Sequence, residues 1–350
     1  MKKITRIIAF ALSLMILCDV FGLAPAVQAA RQSRRNGNVV VVIDPGHGGV
    51  GENNNDGAIY HGMLEKNLNL ATAAVMKQTL DQFEGITTYL TRTTDTEVLL
   101  PARAQYAAAL NADFLVSLHF NASGAHHVYG SEIWIPSQGN LYARGYSFAS
   151  VATEELGALG LYQRGIKTRV GSKGDYYGII RNCALFGIPS VIIEHCHMDH
   201  GVDVSFLRST DSLIKLGYAD AIAVAKYFGL RSESLGLDFS GYRTVSVKAP
   251  KNAVAQDTTP PEVCTAVKTS YDPASRTIVL NCTVQDAQSP VIYYAVSYDG
   301  GLTYTTLLPW NRALRSADIT IQVPQNATHV IFRAYNQYDK YTDALPVQVY

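Results

Sequence analysis

Two histidines and two glutamates stand where a catalytic metal would need them. Asp44-Pro45-Gly46-His47-Gly48-Gly49 follows the apolar run Val39 to Ile43, so His47 is offered at the carboxyl end of a predicted strand, where α/β folds place their ligands. Ser117-Leu118-His119-Phe120-Asn121 closes a second predicted strand, and period-two alternation turns His119 away from the side that Leu118 and Phe120 share. Glu65, at the head of a predicted helix, adds an oxygen. A His, Glu, His set fills three positions of a tetrahedral zinc and leaves the fourth open, which catalysis requires. Glu194 ends the apolar run Pro189 to Ile193 at the same sheet edge, where a carboxylate serves as a general base. Taken singly, each ligand also fits a hydrogen-bonded polar group at an element end, and Glu194 fits an ion pair with Arg181 or another cation.

These residues need a scaffold that brings strand ends together. From Val39 to Leu230 apolar runs alternate with helical patterns, the mark of an α/β layer fold. Strands are predicted at 39–43, 87–91, 114–119, 131–135 and 190–194. Residues 65–83 place Leu68, Ala71, Val75, Met76, Leu80 and Phe83 at helical spacing. Further helices are predicted at 142–159 and 213–228, the last stopped by Gly229. After Leu230 the texture changes, and Thr258-Thr259-Pro260-Pro261 forms a stiff connector. Beyond it Ile278, Leu280, Cys282 and Val284 alternate, as do Val330, Phe332 and Ala334, and Asp299-Gly300-Gly301 is a hairpin-type turn. Roughly seven short strands in this region describe a β-sandwich.

The expected organisation is a signal peptide over 1–29, an α/β domain over 38–230 with a mixed twisted sheet flanked by helices, a linker over 231–260, and an all-β immunoglobulin-like sandwich over 261–350. Lys2, Lys3 and Arg6 precede the apolar stretch Ile7 to Leu17, and Val27-Gln28-Ala29 offers a cleavage site. The stretch falls short of the ~20 residues that span a bilayer, so no lasting membrane insertion is expected. Cys18 follows Leu17 rather than a small residue, which argues against lipidation. Cys183, Cys196, Cys264 and Cys282 remain after cleavage; a Cys264 to Cys282 bridge and free buried thiols are both open. The 29 basic and 29 acidic side chains cancel, which leaves no electrostatic reason to expect nucleic acid as a partner.

Over Val39 to Leu230 the chain resembles the zinc-dependent N-acetylmuramoyl-L-alanine amidases of the type 3 family. The motifs that carry the resemblance are Asp44-Pro45-Gly46-His47-Gly48-Gly49, Glu65-Lys66-Asn67-Leu68-Asn69-Leu70, Leu90-Thr91-Arg92 with Asp95, Arg103, Ser117-Leu118-His119-Phe120-Asn121-Ala122, Gly130-Ser131-Glu132, and Ile188-Pro189-Ser190-Val191-Ile192-Ile193-Glu194. The resemblance implies one zinc ion on His47, Glu65 and His119, with Glu194 as the catalytic glutamate. It also implies peptidoglycan as substrate, cut at the amide between N-acetylmuramic acid and L-alanine, outside the cell or at its wall. Asn121, Tyr176, Tyr177 and Arg181 are candidates for substrate contact. No long insertion separates His119 from Glu194, which points to an open cleft.

One departure follows Glu194, where this chain reads His195-Cys196-His197-Met198-Asp199-His200. Alternation sends His195 and His197 to the side opposite Glu194, toward supporting or surface roles, with an accessory metal as the lesser alternative. In the C-terminal region Tyr293, Tyr294, Tyr298 and Tyr304 fit either sugar stacking or ordinary strand formation. A non-catalytic wall-binding scaffold and a zinc peptidase acting within the stem peptide are the rival functions.

Overall fold

The computed structural model describes residues 37–50 and 54–350. The signal-peptide expectation over 1–29 lies outside them. Among the described residues no helix is long and apolar enough to cross a membrane. The chain divides into two compact units, the first ending at Ala255 and the second spanning Gln256–Tyr350.

The first unit is built on six strands: β1 (Val39–Pro45), β2 (Ile86–Leu90), β3 (Phe114–Asn121), β4 (Ser131–Trp134), β5 (Gln163–Lys167) and β6 (Ser190–His197). They order as β2-β1-β3-β6-β4-β5. All neighbours are parallel except β6 and β4, which run antiparallel, so the sheet is mixed. Val40 to Ile43, Leu115, Val116 and Val191 to Ile193 are buried on both sides of the sheet, as parallel strands between helical layers must be. One face is covered by α1 (Glu65–Leu80), α3 (Gly139–Ala158) and α6 (Ser212–Phe228), whose Met76, Leu80, Phe148, Leu156, Leu216 and Ile222 share a core with Ile43, Val116, Leu118, Phe120 and Ile193. Gly229 ends α6 in the left-handed conformation.

Two short helices, α2 (Leu100–Ala109) and α4 (Gly178–Ala184), pack together, and α4 also packs on β6. A further short helix, α5 (Gly201–Leu207), follows β6. The sequence hides α2 because its buried residues are Arg103, Ala104 and Ala107, which carry almost no apolar contrast. It hides edge strand β5 because Gln163-Arg164-Gly165-Ile166-Lys167 is polar, with Arg164 and Lys167 buried by pairing rather than by apolarity.

Part of the segment expected as a linker, up to Val254, hydrogen-bonds to the first unit. Gly139, the first residue of α3, donates its backbone N–H to the Pro250 carbonyl at 3.1 Å. Val254 donates to the Ser137 carbonyl at 2.7 Å and accepts from the Thr168 hydroxyl. The α3 N-cap, Gln138, makes no side-chain cap, so this passing segment satisfies a helix-start donor from outside.

The second unit is all antiparallel. One sheet joins β7 (Val263–Asp272), β8 (Thr277–Gln285) and β11 (Ser316–Gln322). The other joins β9 (Val291–Ser297), β10 (Leu308–Pro309), β12 (His329–Asn336), β13 (Tyr341–Asp343) and β14 (Val347–Gln348). Ile278, Leu280, Cys282 and Val284 face Val330, Phe332, Ala334 and Trp310 in one core. Tyr293 is fully buried, Tyr294 stacks on Phe332, Tyr298 packs against the core, and the Tyr304 ring covers the Arg333 guanidinium at 3.6 Å. Tyr293 and Tyr294 are therefore strand and core residues, while Tyr298 and Tyr304 lie in the connection between β9 and β10. Cys183, Cys196, Cys264 and Cys282 are all free and buried.

Phe148 is fully buried between Phe114 and Tyr227, with ring centroids at 4.9 and 5.6 Å. Phe148→Ala is expected to destabilise the first unit by about 3–5 kcal/mol, read as a lower urea midpoint; a change under about 1 kcal/mol would contradict this packing.

Candidate metal centre

The centre starts from the point where the chain leaves β1. Asp44 is buried, and its carboxylate accepts from Arg103 at 2.6 Å, Thr91 at 2.6 Å and Ser117 at 2.7 Å. Burial pushes this carboxyl up, but Arg103 and the hydroxyl donors more than offset it, so its pKa lies below the usual aspartate value. Arg103 also donates to the carbonyls of Pro45 and His47, both at 2.8 Å. Arg92 donates to the carbonyls of Pro45, Gly46 and Lys66 at 3.0, 2.8 and 2.8 Å. The two guanidiniums thus bond three successive carbonyls, Pro45 to His47, where the chain leaves β1. His47 itself has φ of 60°, a left-handed conformation that costs energy in a residue with a side chain and is held by these bonds.

Glu65, the first residue of α1, stands between the two imidazoles. Its Oε2 lies 3.1 Å from His47 Nε2, and its Oε1 lies 2.9 Å from His119 Nδ1. Backbone N–H groups of Ala58 and Phe120 donate to the same carboxylate at 2.8 and 3.2 Å. On the outer side of His47, Nδ1 lies 2.9 Å from Asn55 Oδ1, which leaves Nε2 facing inward. Burial opposes ionisation of Glu65, yet the His119 and His47 hydrogen bonds hold its pKa well below the carboxylate range. Burial likewise opposes charge on His47, and the Glu65 carboxylate overrides it, raising that pKa.

Two glycines keep this space clear. A Cβ on Gly46 would fall 2.2 Å from His119 Cε1, and one on Gly57 would fall 2.3 Å from Glu65 Oε2. One ligand atom from each of His47, Glu65 and His119 lies within 4.8 Å of the others, so the three can hold a metal ion. Two imidazoles and a carboxylate suit a first-row divalent ion such as zinc, and His47 and His119 line a cavity of about 280 Å³. Its walls include Val98, Leu99 and Leu100 on one side and Tyr177, Gly178 and Ile179 on the other.

Glu194 lies on β6, in register with His119 of β3 and with Glu132 of β4, so the three side chains form one row across adjacent strands. Glu132 is buried and accepts from Arg164 at 2.7 Å, Lys167 at 2.6 Å, Asn121 at 2.9 Å and Trp134 at 3.1 Å. Burial raises its pKa, but Lys167 and Arg164 bring it well below normal. Glu194 has no such partners: its Oε2 is buried without a hydrogen bond, and no cation pairs with it among the described residues. Burial, then the charges of Glu65 and Glu132, push its pKa well above the carboxylate range. The two neighbouring carboxyls are thus driven apart, Glu132 held ionised and Glu194 pushed toward its protonated form.

The remaining candidates separate. Tyr177 lines the cavity and packs on Trp134 at 4.9 Å. Tyr176 is exposed, with the Arg169 guanidinium 3.6 Å over its ring. Arg181 donates to the carbonyls of Asp175 and Tyr176, so it braces the chain before α4 rather than pairing with Glu194. Asn121 is committed to Glu132 and to the Ala122 N–H. Arg169, Arg164, Lys167 and the role of Glu132 escaped the sequence reading. Gly130-Ser131-Glu132 was the only signal, and it carried no role. His200 stacks on Tyr129, while His197 bonds the Gly130 carbonyl, and neither approaches the centre. Among the described residues, His47, Glu65 and His119 form the one group of three or more ligand types close enough for a metal.

The family model described as N-acetylmuramoyl-L-alanine amidase matches residues 41–226. N-acetylmuramoyl-L-alanine amidase CwlM of Bacillus licheniformis is 30% identical over 202 residues, covering 57% of this chain and 72% of that protein. The sporulation-specific N-acetylmuramoyl-L-alanine amidase of Bacillus subtilis is 28% identical over 221 residues, covering 63% of this chain and 80% of that one. Among solved structures, the catalytic domain of CwlV from Bacillus (Paenibacillus) polymyxa var. colistinus aligns with a TM-score of 0.47 at 29% identity, over 55% of this chain and 99% of that chain.

Gly46→Ala is expected to displace the His119 ring and weaken zinc or cobalt uptake by about ten-fold or more, measured by direct titration; undiminished uptake would remove His119 from the ligand set. Arg103→Met leaves the Asp44 charge buried and unpaired, at a cost of about 3–5 kcal/mol. Because its folded pKa is depressed, the Asp44 contribution is complete above its unfolded pKa of about 4 and is lost as pH falls below it. The acid-unfolding midpoint of Arg103→Met is therefore expected at higher pH than that of the parent, and an unchanged midpoint would contradict the pairing.

Proposed function

The chain belongs to the N-acetylmuramoyl-L-alanine amidase family, and from that premise we propose an exported, zinc-dependent enzyme that hydrolyses the amide joining N-acetylmuramic acid to L-alanine in peptidoglycan. The observation that carries this reading is the meeting of the His47, Glu65 and His119 cluster with the orphaned carboxylate of Glu194 at one sheet edge.

Zinc on His47, Glu65 and His119 supplies Lewis acidity toward the scissile carbonyl and toward water. Glu194 takes a proton from the attacking water as the new C–O bond forms at the lactyl carbonyl. The C–N bond then breaks, and Glu194 returns that proton to the departing L-alanine amine. Glu132, fixed by Arg164 and Lys167, contributes negative charge beside Glu194 without competing for the proton. Tyr177 offers an aromatic wall to the substrate, and Tyr176 with Arg169 extends that wall outward.

Export rests on Lys2, Lys3, Arg6, the Ile7 to Leu17 run and the Val27-Gln28-Ala29 site. We assign residues 1–29 to the signal, 38–230 to catalysis, 231–260 to the connection and 261–350 to an immunoglobulin-like accessory module. The two sheets closing on one core support that last assignment.

The decisive experiment digests purified peptidoglycan with the mature chain and identifies the released bonds by mass spectrometry. Stem peptides with free L-alanine amino termini are expected. A chelator should abolish them and added zinc restore them. Glu194→Gln should bind zinc normally yet turn over about 10²–10⁴-fold more slowly. Shortened peptides would replace this reading with a zinc peptidase, and an intact wall that still retains the protein would replace it with a scaffold.

A further inference from the structure

His195 directly follows the proposed base, and the proposed chemistry leaves it without a role. The β3 to β6 ladder pairs Glu194 with His119 and then jumps to His197 with Asn121, so a β-bulge lies at residues 195 and 196. His195 points into the core on the side opposite Glu194, as alternation of adjacent strand residues requires, and there it is fully buried with its ring 5.0 Å from that of Phe120. Both ring nitrogens are engaged. Nδ1 lies 3.0 Å from the backbone carbonyl of His119, and Nε2 lies 2.9 Å from Asp220 Oδ2 on α6. A carbonyl can only accept, so Nδ1 is the donor and Nε2 faces the carboxylate. Asp220 is itself buried, and its Oδ1 has no hydrogen-bond partner. A buried carboxylate with one oxygen unsatisfied is costly and is not what core packing alone selects. Its other oxygen meets the imidazole that contacts the His119 backbone.

We propose that His195 and Asp220 are positioning residues for His119. A chain of hydrogen bonds from α6 through the sheet locks the His119 carbonyl and so sets how firmly the imidazole on the other face retains the metal. The inference rests on His119 being a zinc ligand, as in the reading above. Outer partners of metal-binding histidines typically govern affinity by about 10–100-fold. Here the link is made through the backbone, because the imidazole nitrogen Nδ1 of His119 already meets Glu65.

The test uses the full chain loaded with one equivalent of zinc and follows metal transfer to an excess of a chromogenic chelator. His195→Leu removes the donor and should release zinc about ten-fold faster. Asp220→Asn should fall between it and the parent. His195→Asn, whose amide nitrogen takes the place of Nδ1, should recover most of the loss. The absorption spectrum of the cobalt-loaded protein should shift with His195→Leu and return toward the parent with His195→Asn. A lower melting temperature with unchanged zinc release and an unchanged cobalt spectrum would reduce the pair to packing and overturn the proposal. Should His195→Leu not fold, the isosteric Asp220→Asn decides by the same two readouts. A parent chain that takes up no zinc would overturn the zinc reading together with this one, whereas normal uptake with unaltered release overturns this one alone.

Discussion

The buried pair of Asp44 and Arg103 is the constraint on which the rest of the first unit turns. A β-strand that ends in a ligand-bearing loop must abandon its ladder, and the carbonyls that leave it still need donors. Asp44 draws Arg103 into the interior, and Arg103, once there, spends its remaining donors on Pro45 and His47. Arg92 does the same for Pro45 and Gly46 from the other side. A buried ion pair is a weak source of net stability, since desolvation consumes much of its attraction. Its effect here is on the path of the chain: the bonds that Arg103 adds to Pro45 and His47 hold His47 in a left-handed backbone conformation.

The same logic divides labour between two carboxylates that stand in register on neighbouring strands. Glu132 is surrounded by Arg164, Lys167, Asn121 and Trp134, while Glu194 is given nothing but burial and like charge. Strand register fixes their proximity, and the contrast between their partners fixes their difference. Neither property belongs to a glutamate alone.

The sequence makes one half of this arrangement legible. His47, Glu65, His119 and Glu194 each sit at the end of a strongly patterned element, so alternation and helical spacing place them at one edge before any contact is known. Their supports are not legible in that way. Arg103 meets Asp44 across 59 positions, Lys167 meets Glu132 across 35, and Asp220 meets His195 across 25. No local period reports such pairs. Strand β5 and helix α2 escape for a related reason, since the first is buried by salt bridges and the second by alanines, and neither offers apolar contrast. Alternation places His195 and His197 opposite Glu194, but it does not register the bulge that separates their partners: Asp220 for one, Gly130 for the other.

The four buried thiols carry a consequence for how the chain meets oxidants. Burial pushes Cys183 and Cys282 up to about 12 and Cys264 up to about 11, and raises Cys196 well above the ordinary thiol value. Oxidation and disulfide exchange proceed through the thiolate, so sulfurs that are both enclosed and protonated are slow partners for either. With no disulfide among these cysteines, the fold does not wait on an oxidising catalyst to be completed, and a reducing medium has no bridge to open.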